Sequence, residues 1–160
     1  MVSVDWLDPR AVALREAMDI EMEALYAPSF RQYAQETQDK LTSAFAVDPS
    51  SIIATVLAVM GNESVGHAGL RPSGNRGSLE VKKVVVNPTY RGRGISRSLM
   101  FELERIARER SAPSLLLQTG DLQPAAISLY ESLGYRQIPS YPPFHLLANA
   151  RCYEKVLSVR

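Results

Sequence analysis

The chain reads as a single α/β domain built on a mixed sheet, and three features of its 160 residues predict this. A β-branched run, Leu79 to Val86, passes through a glycine-rich turn directly into an amphipathic helix. Two strand-like stretches joined by a two-residue turn precede that run, and a strand–helix–strand pattern follows it. The length suits one domain, and a hydrophobic content of 46% can fill its core.

The elements follow in order. Ala11 to about Tyr26 carries apolar residues at 11, 14, 18, 22 and 25 with Arg15, Glu16 and Asp19 between them, a first helix. A second helical stretch runs from about Phe30 to Phe45. Ile52–Met60 and Glu63–Leu70 are strands around Gly61-Asn62, a hairpin turn. A further turn, Arg71–Gly77, leads into the strand Leu79–Val86. Ile95, Leu99, Leu103, Ile106 and Ala107 then recur at helical spacing, while Arg97, Glu102, Arg105, Arg108 and Glu109 keep largely to other faces. Leu115–Thr119 is a short buried strand. Pro124 opens a helix with Gln123 as its cap, and Gly134 ends it after Leu133. Arg136–Ile138 and Arg151–Val159 pair as a last hairpin. No repeat, low-complexity tract or linker divides residues 1–160, so one domain is expected.

Composition excludes several classes. A net charge of +1, with signs mixed along the chain, lacks the basic surface that binding nucleic acid or an anionic membrane needs. Met1 to Arg10 has acidic residues and no apolar core of a secretory signal, and no apolar run reaches membrane-spanning length, so a cytoplasmic location is expected. The single cysteine, Cys152, allows no internal disulfide. His67 and His145 are the only histidines and make no zinc spacing with Cys152, so no metal is expected. His67 is expected to face outward from its strand. Cys152 reads as a small buried hydrophobe.

The junction Val84-Val85-Val86-Asn87-Pro88-Thr89-Tyr90-Arg91-Gly92-Arg93-Gly94-Ile95-Ser96 has the design of an anion site. The first turn of a helix offers backbone N–H groups without intrahelical partners, together with the positive end of the macrodipole. Gly92 and Gly94 let an anion approach the backbone, and Arg91 and Arg93 add charge. A dinucleotide fingerprint would need glycine where Arg97 stands, and a Walker A loop would need a Gly-Lys-Ser or Gly-Lys-Thr ending that is absent. What remains is R-x-x-G-x-S, Arg91 to Ser96.

That loop resembles the acetyl-coenzyme A pyrophosphate loop of the GNAT superfamily of N-acetyltransferases, R/Q-x-x-G-x-G/A, with Ser96 at its last position. A second stretch, Gln123-Pro-Ala-Ala126-Ile-Ser-Leu-Tyr130-Glu-Ser-Leu-Gly134-Tyr135, is similar to that family's N-x-x-A-x-x-L-Y-x-x-x-G-F/Y, with Gln123 in place of asparagine. The resemblance spans Gly66 to about Leu157. It implies the GNAT-like acyl-CoA N-acyltransferase fold: a mainly antiparallel sheet splayed at its middle strands, with helices on both faces. It also implies acetyl-CoA as co-substrate, held by Val84, Val85, Val86, Arg91, Gly92, Arg93, Gly94, Ile95, Ser96, Gln123 and Ala126. Backbone N–H groups near Val85 and Val86 bind the pantetheine and the developing oxyanion in that family.

Two side chains are candidates for the chemistry. A primary amine has a pKa near 10, so a base that removes its proton is useful. Glu80 lies an even six residues before Val86, which puts it on the face of Val84 and Val86, and some family members carry a catalytic glutamate there while others use ordered water. The other reading of Glu80 is a strand-end carboxylate paired with Lys82 or Lys83. Tyr130 matches the family tyrosine that approaches the coenzyme sulfur and can donate a proton or a hydrogen bond to the leaving thiolate; the competing reading is a packed core tyrosine. Tyr141-Pro142-Pro143-Phe144-His145, ahead of Glu154-Lys155, either shapes the acceptor site or covers the core as a proline turn. The expected partner is a small-molecule or amino-acid-derived amine, with no nucleic acid or membrane partner and with a homodimer left open. A protein N-acetyltransferase and a non-catalytic acyl-CoA sensor are the alternatives.

Overall fold

The computed structural model describes residues 1–157. Among the described residues, seven strands form one sheet: β1 (Val2–Ser3), β2 (Ala54–Met60), β3 (Glu63–Pro72), β4 (Leu79–Val86), β5 (Ser114–Gly120), β6 (Arg136–Ile138) and β7 (Ala150–Val156). Their spatial order is β1-β2-β3-β4-β5-β7-β6, and all neighbours are antiparallel except β4 and β5. The last hairpin therefore forms with β7 inserted between β5 and β6. The expected strand through Val159 ends at Val156, and its last two residues lie outside the described segment. Strand β1 has two residues and gave no signal of its own.

The helices that cover the sheet among the described residues are α1 (Pro9–Phe30), α2 (Gln35–Phe45), α3 (Ile95–Glu109) and α4 (Pro124–Ser132). Helix α1 starts where Asp8 accepts a hydrogen bond from the Arg10 N–H at 2.9 Å, with Pro9 in the first turn. It runs four residues past the expected Tyr26 because Pro28 falls in the last turn, where its missing N–H costs a single bond. The second helix correspondingly begins five residues later than expected.

Helices α3 and α4 pack on one face of the sheet. Leu99, Met100, Leu103 and Ala107 are fully buried there against Val56, Ala68, Leu70 and Leu115. Each buried leucine or methionine side chain contributes about 1.5–3 kcal/mol. Helix α1 covers the other face through Ala11 and Leu14, which meet Leu57 and Val85. Beside it, Phe45 of α2 closes over Phe144, Ala150 and Cys152. The inert reading of Cys152 agrees with this burial. Glu154 and Lys155 point apart: Ser114 Oγ donates to Glu154 at 2.7 Å, while Lys155 reaches buried Glu104 of α3 at 2.7 Å.

Candidate functional site

Strands β4 and β5 share register at only two places, Leu79↔Leu115 and Glu80↔Leu116. Beyond them the strands part, and a cavity of about 650 Å³ opens in the gap. On one side it is lined by Val84 of β4, Thr119 of β5 and Gln123, Ala126 and Tyr130 of α4; on the other by Met18, Met22, Tyr26 and Phe30 of α1 and Phe45 of α2. The structure thus brings Val84, Gln123, Ala126 and Tyr130 together at one opening.

At the end of β4 the chain turns through the glycine loop. Gly92 and Gly94 have φ of 77° and 76°, the left-handed region that favours glycine, and Gly94 is the N-cap of α3. Among the described residues, no atom beyond the chain neighbours lies within 4 Å of where a Cβ would sit on either, so the loop's outer surface is open. The first turn of α3 holds no acidic residue, and its N–H groups remain available for an anion. Ser96 lies in that turn, and Arg93 rests 5.1 Å from the Tyr90 ring centroid. Arg91, expected to add free charge, is engaged: Nε donates to the Val86 carbonyl at 3.2 Å, and both Nη atoms grip the Glu21 carboxylate of α1 at 3.0 and 2.6 Å. It fastens the loop to α1.

Gln123 is the N-cap residue of α4, yet its side chain does not cap the helix. Its carbonyl oxygen turns back to accept from Thr119 Oγ1 and the Gly120 N–H, both at 3.2 Å, and from the Tyr26 hydroxyl at 3.4 Å. Tyr26 also accepts from the Leu122 N–H at 3.2 Å, and a Cβ on Gly120 would sit 2.0 Å from its hydroxyl. Only glycine at 120 allows this contact between α1 and the β5–α4 loop. Tyr130 is buried, its phenol pushed up to about 12 by desolvation, and its hydroxyl makes no hydrogen bond among the described residues.

Despite its even spacing from Val84 and Val86, Glu80 does not share their face of the sheet. The register of β4 against β3 slips by one residue between Lys82 and Val85, and Lys83 adopts a left-handed φ of 55°. Such a bulge turns the following side chains over. Val81 consequently shares a face with Val84 and Val86, and Glu80 lies on the opposite face, as does Val85. Glu80 is buried and does not line the cavity. Oε2 accepts from Arg71 Nε at 2.7 Å, and Oε1 accepts from the Tyr141 hydroxyl at 3.1 Å with Lys82 Nζ at 3.6 Å. Tyr141 and Phe144 thereby belong to the core cover, and the cavity is bordered instead by Leu147, Asn149 and Ala150 of the same segment.

His67 is also corrected: it is fully buried. Its Nε2 lies 3.2 Å from Arg15 Nη1, which can only donate, so Nδ1 carries the proton and donates to the Lys83 carbonyl at 2.6 Å. Burial, reinforced by the charges of Arg15 and Lys83, lowers its pKa to about 4. The unfolded chain therefore takes up a proton here between pH 6.5 and about 4. Stability from this group is complete above pH 6.5 and is lost as pH falls, by up to about 3 kcal/mol. Urea unfolding at pH 7 and pH 4.5 should show the loss in wild type and a flatter dependence in His67→Gln.

Sequence reasoning missed the cavity-lining stripe Met18, Met22, Tyr26 and Phe30. Its signal was present: i+4 steps advance 40° beyond a full turn each, so a stripe that starts on the core face at Met18 drifts round to the gap. Lys83, which lines the cavity and pairs with Asp19 at 2.5 Å, gave no such signal.

A sheet parted at its middle strands, with an anion-accepting loop at the end of one of them, defines the class of protein. The chain belongs to the acetyltransferase (GNAT) family, whose model it matches over residues 14–135. A Klebsiella pneumoniae structure assigned as an acyl-CoA N-acyltransferase superposes with a TM-score of 0.78 at 26% identity, covering 98% of this chain and 96% of that one. A GNAT family acetyltransferase from Elizabethkingia anophelis with acetyl-CoA bound shares the fold at a TM-score of 0.61 and 19% identity, over 78% of this chain and 84% of that one. N-acetyltransferase family 8 member 2 of Rattus norvegicus is 31% identical over 70 residues, which is 44% of this chain and 31% of that protein. Matches to such curated relatives span from 24% to 55% of their length. Among the described residues, no helix is long and apolar enough to cross a membrane.

Proposed function

We propose that the protein transfers an acetyl group from acetyl-CoA to the amine of a small molecule with an apolar body, by direct attack and without an acyl-enzyme. The observation that carries this reading is the cavity that occupies the gap between β4 and β5, with lining residues from both sides of the sheet. One of its ends is bounded by α4 and the other by α1 and α2, so a thioester and an amine entering from opposite sides meet in one space. Its volume is within the range of small-molecule sites. Met18, Met22, Phe30 and Phe45 make the acceptor end apolar.

Acetyl-CoA supplies the acetyl group as a thioester: the amine nitrogen forms the new C–N bond, the C–S bond breaks, and the amine loses a proton. The open N–H groups of the Gly92–Ser96 turn bind the pyrophosphate, and backbone N–H groups of β4 just beyond the Lys83 bulge, near Val85 and Val86, stabilise the charge that develops on the thioester carbonyl. Tyr130 donates a hydrogen bond to the departing sulfur. With its pKa near 12 against about 8.5 for a thiol, the phenol stabilises the thiolate by hydrogen bonding and keeps its own proton. Both oxygens of Glu80 are engaged by protein donors, so the amine's proton passes to water at the cavity edge formed by Asp19 and Glu23.

Thiol release from acetyl-CoA across a panel of small amines, with peptides as the comparison, tests the reading. Turnover confined to apolar small amines supports it, and turnover confined to peptides assigns the site to protein acetylation. Tyr130→Phe is expected to lower kcat by about 10- to 100-fold, the equivalent of one hydrogen bond to a charged atom, while the KM for acetyl-CoA stays within a few-fold. Unchanged turnover with chemistry rate-limiting would return Tyr130 to the core.

A further inference from the structure

We infer that His67 is a positioning residue for the reaction: its Nδ1–H holds the Lys83 carbonyl and so fixes the β4 bulge just before the N–H groups that receive the thioester carbonyl. This rests on the functional reading above. The bulge needs such a hold, because a left-handed backbone at a lysine costs about 1–2 kcal/mol and relaxes unless its surroundings enforce it.

The surroundings do more than fill space. Among the described residues, Arg15 is buried without a carboxylate in hydrogen-bond contact, an expensive arrangement for a packing role. Its Nη1 donates to His67, its Nη2 donates to the Trp6 carbonyl at 2.7 Å, and the guanidinium lies 3.7 Å from the Trp6 ring centroid. Trp6 in turn stands edge-on to His67 at 5.3 Å between centroids. It fits only because residue 69 is glycine, where a Cβ would come within 2.8 Å of the indole. The cation forces Nε2 to accept and forbids a second proton on the ring. What results is one tautomer, in one orientation, aimed at one carbonyl.

Two amide variants separate the roles. Asparagine places its N–H₂ near the position of Nδ1 and keeps the donor to Lys83; glutamine reaches to the position of Nε2 and keeps the acceptor for Arg15. With acetyl-CoA labelled with ¹³C at the acetyl carbonyl, the bound resonance of wild type should move downfield of free ligand. His67→Asn should retain that shift, and His67→Gln should lose at least half of it. Equal shifts in both variants and wild type overturn the proposal, as does a wild-type bound resonance that coincides with free ligand. Failure of wild type to bind acetyl-CoA at all is a separate result, which removes the functional reading and the proposal with it. Should His67→Gln not fold, ¹⁵N-histidine labelling of wild type decides. The His67 Nδ1–H signal is expected to shift on adding acetyl-CoA and to shift less with coenzyme A; equal responses overturn the proposal.

Discussion

Replacing Glu80 with alanine is expected to lower folding stability by about 3–5 kcal/mol, the cost of removing one member of a buried charge cluster. The carboxylate is the common partner of Arg71 and Tyr141 and the nearest anion to Lys82, whose side chain is only 9% exposed. Burial lowers the Lys82 pKa, and the Glu80 charge is the chief opposing influence. Without Glu80 the ammonium loses that support, and Tyr141, part of the cover over Cys152, loses its acceptor. Scanning calorimetry should register a Tm lower by roughly 6–20 °C. A shift under 2 °C would show that the cluster contributes nothing net. The shape-preserving Glu80→Gln should be milder, and its pH–rate profile should keep the wild-type form, because Glu80 does not line the cavity. A profile depressed selectively below the amine pKa would restore Glu80 as the base.

Gly94→Val is expected to weaken acetyl-CoA binding by more than about 100-fold in a protein that still folds. The folding cost is limited, because a Cβ there meets no protein atom and only the left-handed backbone, worth about 1–2 kcal/mol, is penalised. The binding cost is larger. Two phosphate hydrogen bonds at about 1.5–3 kcal/mol each are lost when a branched side chain stands over the turn. Calorimetric titration of the folded variant decides, and unaltered affinity would mean the pyrophosphate is bound elsewhere.

How much of this was legible in the chain depends on the range of the interactions involved. The run Leu79–Val86, the turn Arg91–Gly94 and the helix after it have local causes: β-branched residues, glycines at positive φ and a heptad-like apolar face. They stand where periodicity places them. The bulge at Lys83 has no local cause, since nothing in Lys82-Lys83-Val84 asks for a left-handed residue. It depends on His67, sixteen residues away, and through it on Arg15 and Trp6. Parity counted along β4 therefore put Glu80 on the wrong face, although the strand's limits were read correctly. Likewise, Arg91 was read as a free cation because its partner, Glu21, is seventy residues distant.

A seven-stranded sheet ordinarily has two free edges; this one, parted after Glu80, has four, and two of them lie in its middle. Unpaired strand edges recruit strands from other molecules, and proteins are obliged to shield them. Here the shield is α1, moored at one bank of the gap by Glu21 on Arg91 and at the other by Tyr26 on the Leu122 N–H. Beneath it lies the cavity of about 650 Å³, walled by the helix along one side of the parted edges. The opening between β4 and β5 is thus kept from serving as a template for aggregation by the helix that lines it.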